Sequence, residues 1–186
     1  MLRGSRVLLS EALPGSPERI EEAVRSLNME GVVAKRRRSV YEAGKRSKSW
    51  LKVEFNRRQE FVVGGFKPAT TGFESLVVGY YKGRHLHFAG TVRAGFTTHD
   101  RVAIFRLIAP LQTTDCPFVD LPSNRAGHWG EGVTPEDMTK LRWVTPNVVV
   151  EVSFVEWTLE GAFRHSEFVG RRADKKARDV RRESDG

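Results

Sequence analysis

The chain has 186 residues, 39% of them hydrophobic and 29% charged, enough to bury a core in one domain or in one and a part. Its formal net charge of +8 points to polyanions such as DNA, RNA or nucleotide phosphates as partners and says nothing about fold. One cysteine, Cys116, excludes an internal disulfide and fits a reducing compartment; no apolar run approaches the roughly 18 residues of a membrane span, and MLRGSRVLLSEALPGS does not read as a signal peptide.

In chain order, Ser16-Pro17-Glu18 is a helix start: a hydroxyl cap, a proline in the first turn and an acid near the positive end of the dipole. Ile20, Ala23, Val24 and Leu27 recur at helical spacing, and Asn28 is the expected stop. Val32-Val33-Ala34 reads as a short strand, Arg36 to Ser49 as a basic surface loop and Trp50 to Phe55 as a second strand. From Glu60 the texture becomes all-β. EFVVGGF is a strand, and Leu76–Tyr81 with Leu86–Val92 forms a hairpin turning near Lys82-Gly83. His99 to Ala109 has helical spacing, and 110–146 reads as long loops. Val148 to Trp157 alternates as the clearest strand, Phe163 to Val169 is a last one, and 177–186 is a charged tail, helical at best and frayed.

The expected architecture is therefore mainly β with short helices. A small α+β segment over 1–55 precedes a five-stranded antiparallel Greek-key barrel of the OB type over 56–176, with one helix inserted before the fourth strand. The charge is not spread evenly along the chain. Residues 1–60 carry 14 cations and 8 acids, 61–163 carry 9 and 10, and 164–186 carry 8 and 5. A near-neutral body between two basic ends is the distribution expected if separate segments face one anion.

The strand Glu30-Gly31-Val32-Val33-Ala34-Lys35 puts an acid and a lysine at its two ends. They fit either a carboxylate helping a metal with a lysine near a nucleotide, or an edge strand with charged ends; the glycine would let a ligand approach the backbone. In Trp50-Leu51-Lys52-Val53-Glu54, alternation puts Trp50, Lys52 and Glu54 on one face. Lys52 there meets either a phosphate or a cross-strand glutamate. The run from Lys35 to Arg58 holds 10 cations and 2 acids, with Tyr41, Trp50 and Phe55 interleaved. That mixture serves stacking and phosphate contact together, so Arg36, Arg37, Arg38, Lys45, Arg46, Lys48, Arg57 and Arg58 are candidate DNA contacts. His85 and His87 read as a solvated hairpin face rather than a metal pair, and neither a Walker loop nor a dinucleotide glycine fingerprint occurs.

These segments carry a resemblance. Glu30 to Lys35 resembles motif IV of the covalent nucleotidyltransferases, WLKVE resembles their motif V (usually W-L-K-V-K), and Arg172-Ala173-Asp174-Lys175 resembles motif VI, R-x-D-K. With RRQEFVVGGF, SLVVGYYKGRHLHFAGTVRAGF and VVVEVSFVEWT between them, the chain from about Arg6 to Glu183 is similar to the C-terminal half of bacterial ATP-dependent DNA ligases. The likeness is greatest to the ligase D type used in non-homologous end joining. It implies the end of a nucleotidyltransferase (adenylation) domain followed by an OB domain that closes on it and grips nicked or broken duplex DNA. It implies ATP and Mg²⁺ or Mn²⁺ as cofactors and a cytoplasmic, nucleoid-associated location. Glu30 would assist the catalytic metal, Lys52 would hold the α-phosphate with Lys35 near the nucleotide, and Arg172, Asp174 and Lys175 would orient the leaving pyrophosphate.

The sequence departs from that pattern in three places. K-x-D-G, which carries the family's nucleophilic lysine, does not occur, so the chain alone is expected not to self-adenylate. Glu54 stands where motif V has a second lysine, and a carboxylate there would repel an α-phosphate by about 1 kcal/mol or more. Arg93, where the family often has glycine, adds a cation to the barrel surface. The implied partners besides DNA are an N-terminal adenylation half and end-joining proteins. A non-catalytic OB-fold DNA-binding module is the alternative.

Overall fold

The first helix, α1 (Pro17–Ser26), begins as its cap predicts: Ser16 Oγ accepts the Arg19 N–H at 3.5 Å, with Pro17 and Glu18 following. It ends at Leu27, whose N–H returns to the Ala23 carbonyl. The computed structural model describes residues 12–27, 29, 31–40, 42–45, 47–121 and 133–183, so the stop expected at Asn28 lies outside the described residues. Of the apolar stripe only Val24 is buried, and Leu27 is 69% exposed. Arg25, paired with Glu21 at 2.8 Å, lies over the Phe55 ring at 4.6 Å. Strands β1 (Gly31–Lys35) and β2 (Trp50–Glu54) pair antiparallel as a separate two-stranded sheet.

The chain divides into two units, Met1–Phe55 and Asn56–Gly186. The second is built on β3 (Arg57–Pro68), β4 (Phe73–Lys82), β5 (His85–Val92), β7 (Arg142–Phe154) and β10 (Glu167–Arg171), in the spatial order β10-β7-β3-β4-β5. Helix α2 (Thr98–Ile108) follows the third of these strands and precedes the fourth, as the sequence pattern predicts. Thr97 and Asp100 close a reciprocal capping box at its start. Short pieces accompany these strands: β6 (Gln112–Thr113) on β7, α3 (Pro135–Thr139), and the pair β8 (Glu156–Trp157) with β9 (Phe163–Arg164). Among the described residues no helix is long and apolar enough to cross a membrane.

The sheet curls into a half-barrel, the expected OB-type arrangement. Its two end strands meet where Ala94, just after β5, bridges Glu167 in parallel, with the Phe168 N–H donating to the Ala94 carbonyl at 2.9 Å. Gly95 makes this approach possible. Its φ is +86°, and a Cβ there would stand 2.4 Å from the Phe168 carbonyl oxygen. Alternation along the strands sorts the apolar residues onto two faces. Phe61, Val63, Val78, Val150, Val152 and Phe154 fill the concave core beneath α2, while Val62, Val77, Tyr81, Trp143 and Val149 form a second cluster on the convex face.

Besides β6 and α3 inside 110–146 and the division of the expected last strand into β9 and β10, two further expectations change. Strand β7 begins at Arg142, inside the stretch expected to be loop. Trp143 and Val144 already point to opposite faces, and Pro146 is tolerated because the β3–β7 register shifts between the Gly65–Trp143 and Val63–Val148 pairs. The segment expected to be a frayed tail is docked over its described part. Ala177 and Val180 are buried in the convex cluster, the Tyr81 N–H donates to the Val180 carbonyl at 2.9 Å, and Arg178 covers the Tyr81 ring at 4.7 Å. Two apolar residues in a charged run suffice when a complementary apolar surface awaits them.

Candidate functional site

In the first unit the register pairs Gly31 with Glu54, Val33 with Lys52 and Lys35 with Trp50, so Lys35, Trp50, Lys52 and Glu54 share one face of the β1–β2 sheet. Lys35 Nζ lies over the Trp50 ring at 4.5 Å. Lys52 Nζ meets Glu54 Oε1 at 2.6 Å, both side chains about half exposed. The glutamate pairs with Lys52 along its own strand. Gly31 accommodates the partner strand: a Cβ there would sit 2.1 Å from the Val53 carbonyl oxygen. The backbone that approaches this glycine is therefore that of β2. Glu30, the candidate metal ligand, lies outside the described residues, and among those described no group of three or more His, Cys, Asp or Glu side chains could hold a metal ion.

The basic residues of the loop remain outward. Arg36, Arg37, Arg38, Lys45 and Lys48 are exposed, with Lys45 3.6 Å from Glu42; Arg46 lies outside the described residues. The loop is closed at its base, where the Arg36 N–H donates to the Ser49 carbonyl at 2.8 Å. In the second unit Arg57 is half-buried and Arg58 exposed at the start of β3. Arg93 is exposed and shares Glu74 with Lys67, at 3.4 and 2.7 Å. Arg101 fixes this corner by donating to the carbonyls of Phe73, Glu74 and Arg93.

The densest cluster lies just past β10. Arg172 Nε and Nη2 donate to the two oxygens of Asp174 at 3.0 and 2.9 Å, a bidentate pair. Its remaining terminal nitrogen, Nη1, donates to Glu60 Oε1 at 2.5 Å and faces Glu151 Oε2 at 3.7 Å, while Lys175 Nζ is 3.6 Å from Glu60. The hydrogen bonds from Arg172 hold the Asp174 carboxyl down at about 2, and the same pair, with Glu60 and Glu151 adding their charge, raises the guanidinium further above its ordinary value. Arg172, Asp174 and Lys175, expected to act together, are thus gathered. Glu60 and Glu151 were not anticipated; they meet only because β3 and β7 pair in this register.

Two other groups are accounted for locally. Asp120 accepts the Phe88 N–H at 2.9 Å and lies 3.1 Å from His87 Nδ1, tying the loop after Phe118 to the hairpin. Burial pushes the Cys116 thiol up, away from thiolate chemistry.

Comparison with known proteins covers both units. Residues 16–54 match the ATP dependent DNA ligase domain, and residues 69–175 match the ATP dependent DNA ligase C terminal region. The multifunctional non-homologous end joining DNA repair protein LigD of Mycobacterium tuberculosis is 35% identical over 188 residues, 98% of this chain and 23% of that protein. LigD of Pseudomonas aeruginosa is 31% identical over 177 residues, 92% of this chain and 20% of that protein. The chain therefore spans less than a quarter of these relatives. The crystal structure of the ligase domain from M. tuberculosis LigD superposes with a TM-score of 0.62 at 36% identity, over 93% of this chain and 54% of that one. A mycobacterial DNA ligase D complexed with ATP and MES gives 0.58 at 36% identity, over 93% and 53%.

Proposed function

Because the chain belongs to the ATP-dependent DNA ligases, we propose that it supplies the C-terminal part of such an enzyme, joining nicked or broken duplex DNA in end-joining repair. In the reaction a lysine attacks the α-phosphate of ATP and expels pyrophosphate. AMP then passes to the 5′-phosphate at the break, and the 3′-hydroxyl displaces it. Little covalent chemistry falls to the protein besides the lysine; the rest is positioning and charge.

In that scheme Lys52, with Lys35 on the same face, lies toward the α-phosphate, and Arg172, Asp174 and Lys175 address the departing pyrophosphate. Arg36, Arg37, Arg38, Lys45, Arg46, Lys48, Arg57, Arg58 and Arg93 contact the DNA backbone. The observation that carries the reading is the gathering of Arg172, Asp174 and Lys175 at the end of one barrel strand. Mg²⁺ or Mn²⁺ would accompany the nucleotide. The described residues do not by themselves form a metal site, so no step here is derived through the ion. The site of action is the cytoplasm, on nucleoid DNA.

K-x-D-G is not in this sequence, so adenylylation requires a segment that carries it. The test combines the chain with such a segment, labelled ATP and a nicked duplex. The expected result is an AMP–protein adduct and sealing only in the mixture. An adduct formed by this chain alone would overturn the assignment of the nucleophile. The same absence favours one rival, a non-catalytic OB-fold module. That rival predicts salt-sensitive binding of the nick, without sealing even when the nick is pre-adenylylated and the mixture complete.

A further inference from the structure

Glu60 and Glu151 are direct cross-strand partners on the convex face of the sheet, in line with the buried pair Val62 and Val149. Like charges directly opposite one another weaken a sheet, and these side chains are only 19% and 24% exposed, so water screens them poorly. Arg172 is what makes the arrangement tenable: Nη1 reaches Glu60 at 2.5 Å and Glu151 at 3.7 Å, and Lys175 adds a second cation at 3.6 Å.

The side-chain contacts of Arg172 are of two kinds, while its backbone N–H is held by the Val149 carbonyl at 2.9 Å. Asp174 lies two residues away and travels with Arg172 wherever that segment goes. Glu60 lies 112 residues away on the barrel itself, and its bond breaks if the guanidinium swings off the sheet. Three carboxylates against two cations leave the cluster with a net negative formal charge, the wrong sign for a polyphosphate. A guanidinium fork accepts a phosphate in the same geometry as a carboxylate. Asp174 takes the Nε/Nη2 fork, and the two glutamates face the remaining donor, Nη1, where a phosphate oxygen would otherwise accept.

Resting on the ligase reading above, we propose that Glu60 and Glu151 act as a built-in counter-anion that stows Arg172 and Lys175 on the barrel and competes with the nucleotide's phosphates for them. Engagement with pyrophosphate is an exchange of carboxylate for phosphate. Once the phosphate leaves, the two uncovered glutamates draw the cations back. The strap after Lys175, fixed through Ala177 and Val180, keeps the segment within reach.

The test is calorimetric titration of the full chain with inorganic pyrophosphate. E60Q/E151Q is expected to bind at least fivefold more tightly than the native chain, and R172A in that background to remove the gain. Should the double variant not fold, as judged by its circular dichroism melt, E151Q alone should still tighten binding at least twofold. Affinity unchanged or weakened by loss of the carboxylates, or a gain that survives R172A, overturns the proposal, as does absence of pyrophosphate binding in every variant. Gel-shift binding of a nicked duplex is measured beside it. If duplex binding persists and is salt-sensitive while the pyrophosphate result is negative, the counter-anion falls alone. If both fail, the ligase reading falls with it.

Discussion

The side-chain oxygen of Gln59 accepts the backbone N–H of Glu183 at 3.1 Å, although 124 positions separate them. The amide nitrogen of the same Gln59 donates to the Arg181 carbonyl at 3.1 Å. One buried amide on the first barrel strand thus satisfies both sides of the strap and holds it in register.

Disturbing that strap should cost the whole barrel. V180D places a charge in the convex cluster and is expected to destabilise the chain by about 2 kcal/mol or more, whereas V180A should cost about 1–2 kcal/mol. Urea unfolding followed by tryptophan fluorescence measures both. Equal midpoints for V180D and the native chain would mean that the strap is not docked in solution.

Asp174 should titrate far below an ordinary carboxylate, near pH 2 against the usual 3.8. Because its folded value is depressed, the stability it contributes is present above about pH 4 and is lost as pH falls toward 2. The side chain is 63% exposed, so that contribution is small. Carbon-detected NMR of the carboxyl resonance reads the titration directly. R172A should return it toward 3.8, and a native titration already at that value would contradict the bidentate pair.

Gly95 and Gly83 make a matched comparison. Both have positive φ, +86° and +61°, but a Cβ at Gly83 meets nothing within 4 Å while one at Gly95 meets the Phe168 backbone. G83A should cost about 1 kcal/mol, the conformational penalty alone. G95A should cost roughly 1–3 kcal/mol more, because β10 must move away. Thermal melts of the pair separate the two contributions, and equal losses would show that the barrel ends do not meet at this bridge.

Arg36, Arg37 and Arg38 stand exposed at the base of the loop. If they contact phosphates, R36A/R37A/R38A should weaken nicked-duplex binding uniformly across sequences. It should also flatten the dependence of log affinity on log salt by up to about 3. Anisotropy titrations at several salt concentrations test this. An unaltered slope would place the DNA elsewhere on the chain.

Much of this protein could be read from local pattern. The Ser16-Pro17 start, the alternation from Val148 and the order of five strands around one helix depend on neighbours within a few residues, where periodicity speaks. Arg172, Asp174 and Lys175 stood out for another reason, their resemblance to the motif R-x-D-K, and not by periodicity. What depended on distant pairing was not legible. Glu60 and Glu151 are unremarkable strand glutamates until register sets them face to face. Ala177 and Val180 look too sparse to anchor anything until Tyr81 and the convex cluster stand beneath them. Glu54 lies between: alternation puts it on the face of Lys52, and the folded strand brings the two charges to 2.6 Å.

The strand order carries a consequence for synthesis. The first barrel strand to leave the ribosome, β3, is also the central one, and the neighbour on its other side, β7, begins 74 positions after Pro68, the last residue of β3. Until then one edge of β3 is unpaired, and until residue 183 emerges Gln59 lacks its partners. Such distant pairing slows folding and lengthens the time during which Val62 and Val77 are open to water. A nascent barrel of this topology is a natural client for holding chaperones, and its yield in a cell should respond to their abundance more than that of a helical bundle of equal size.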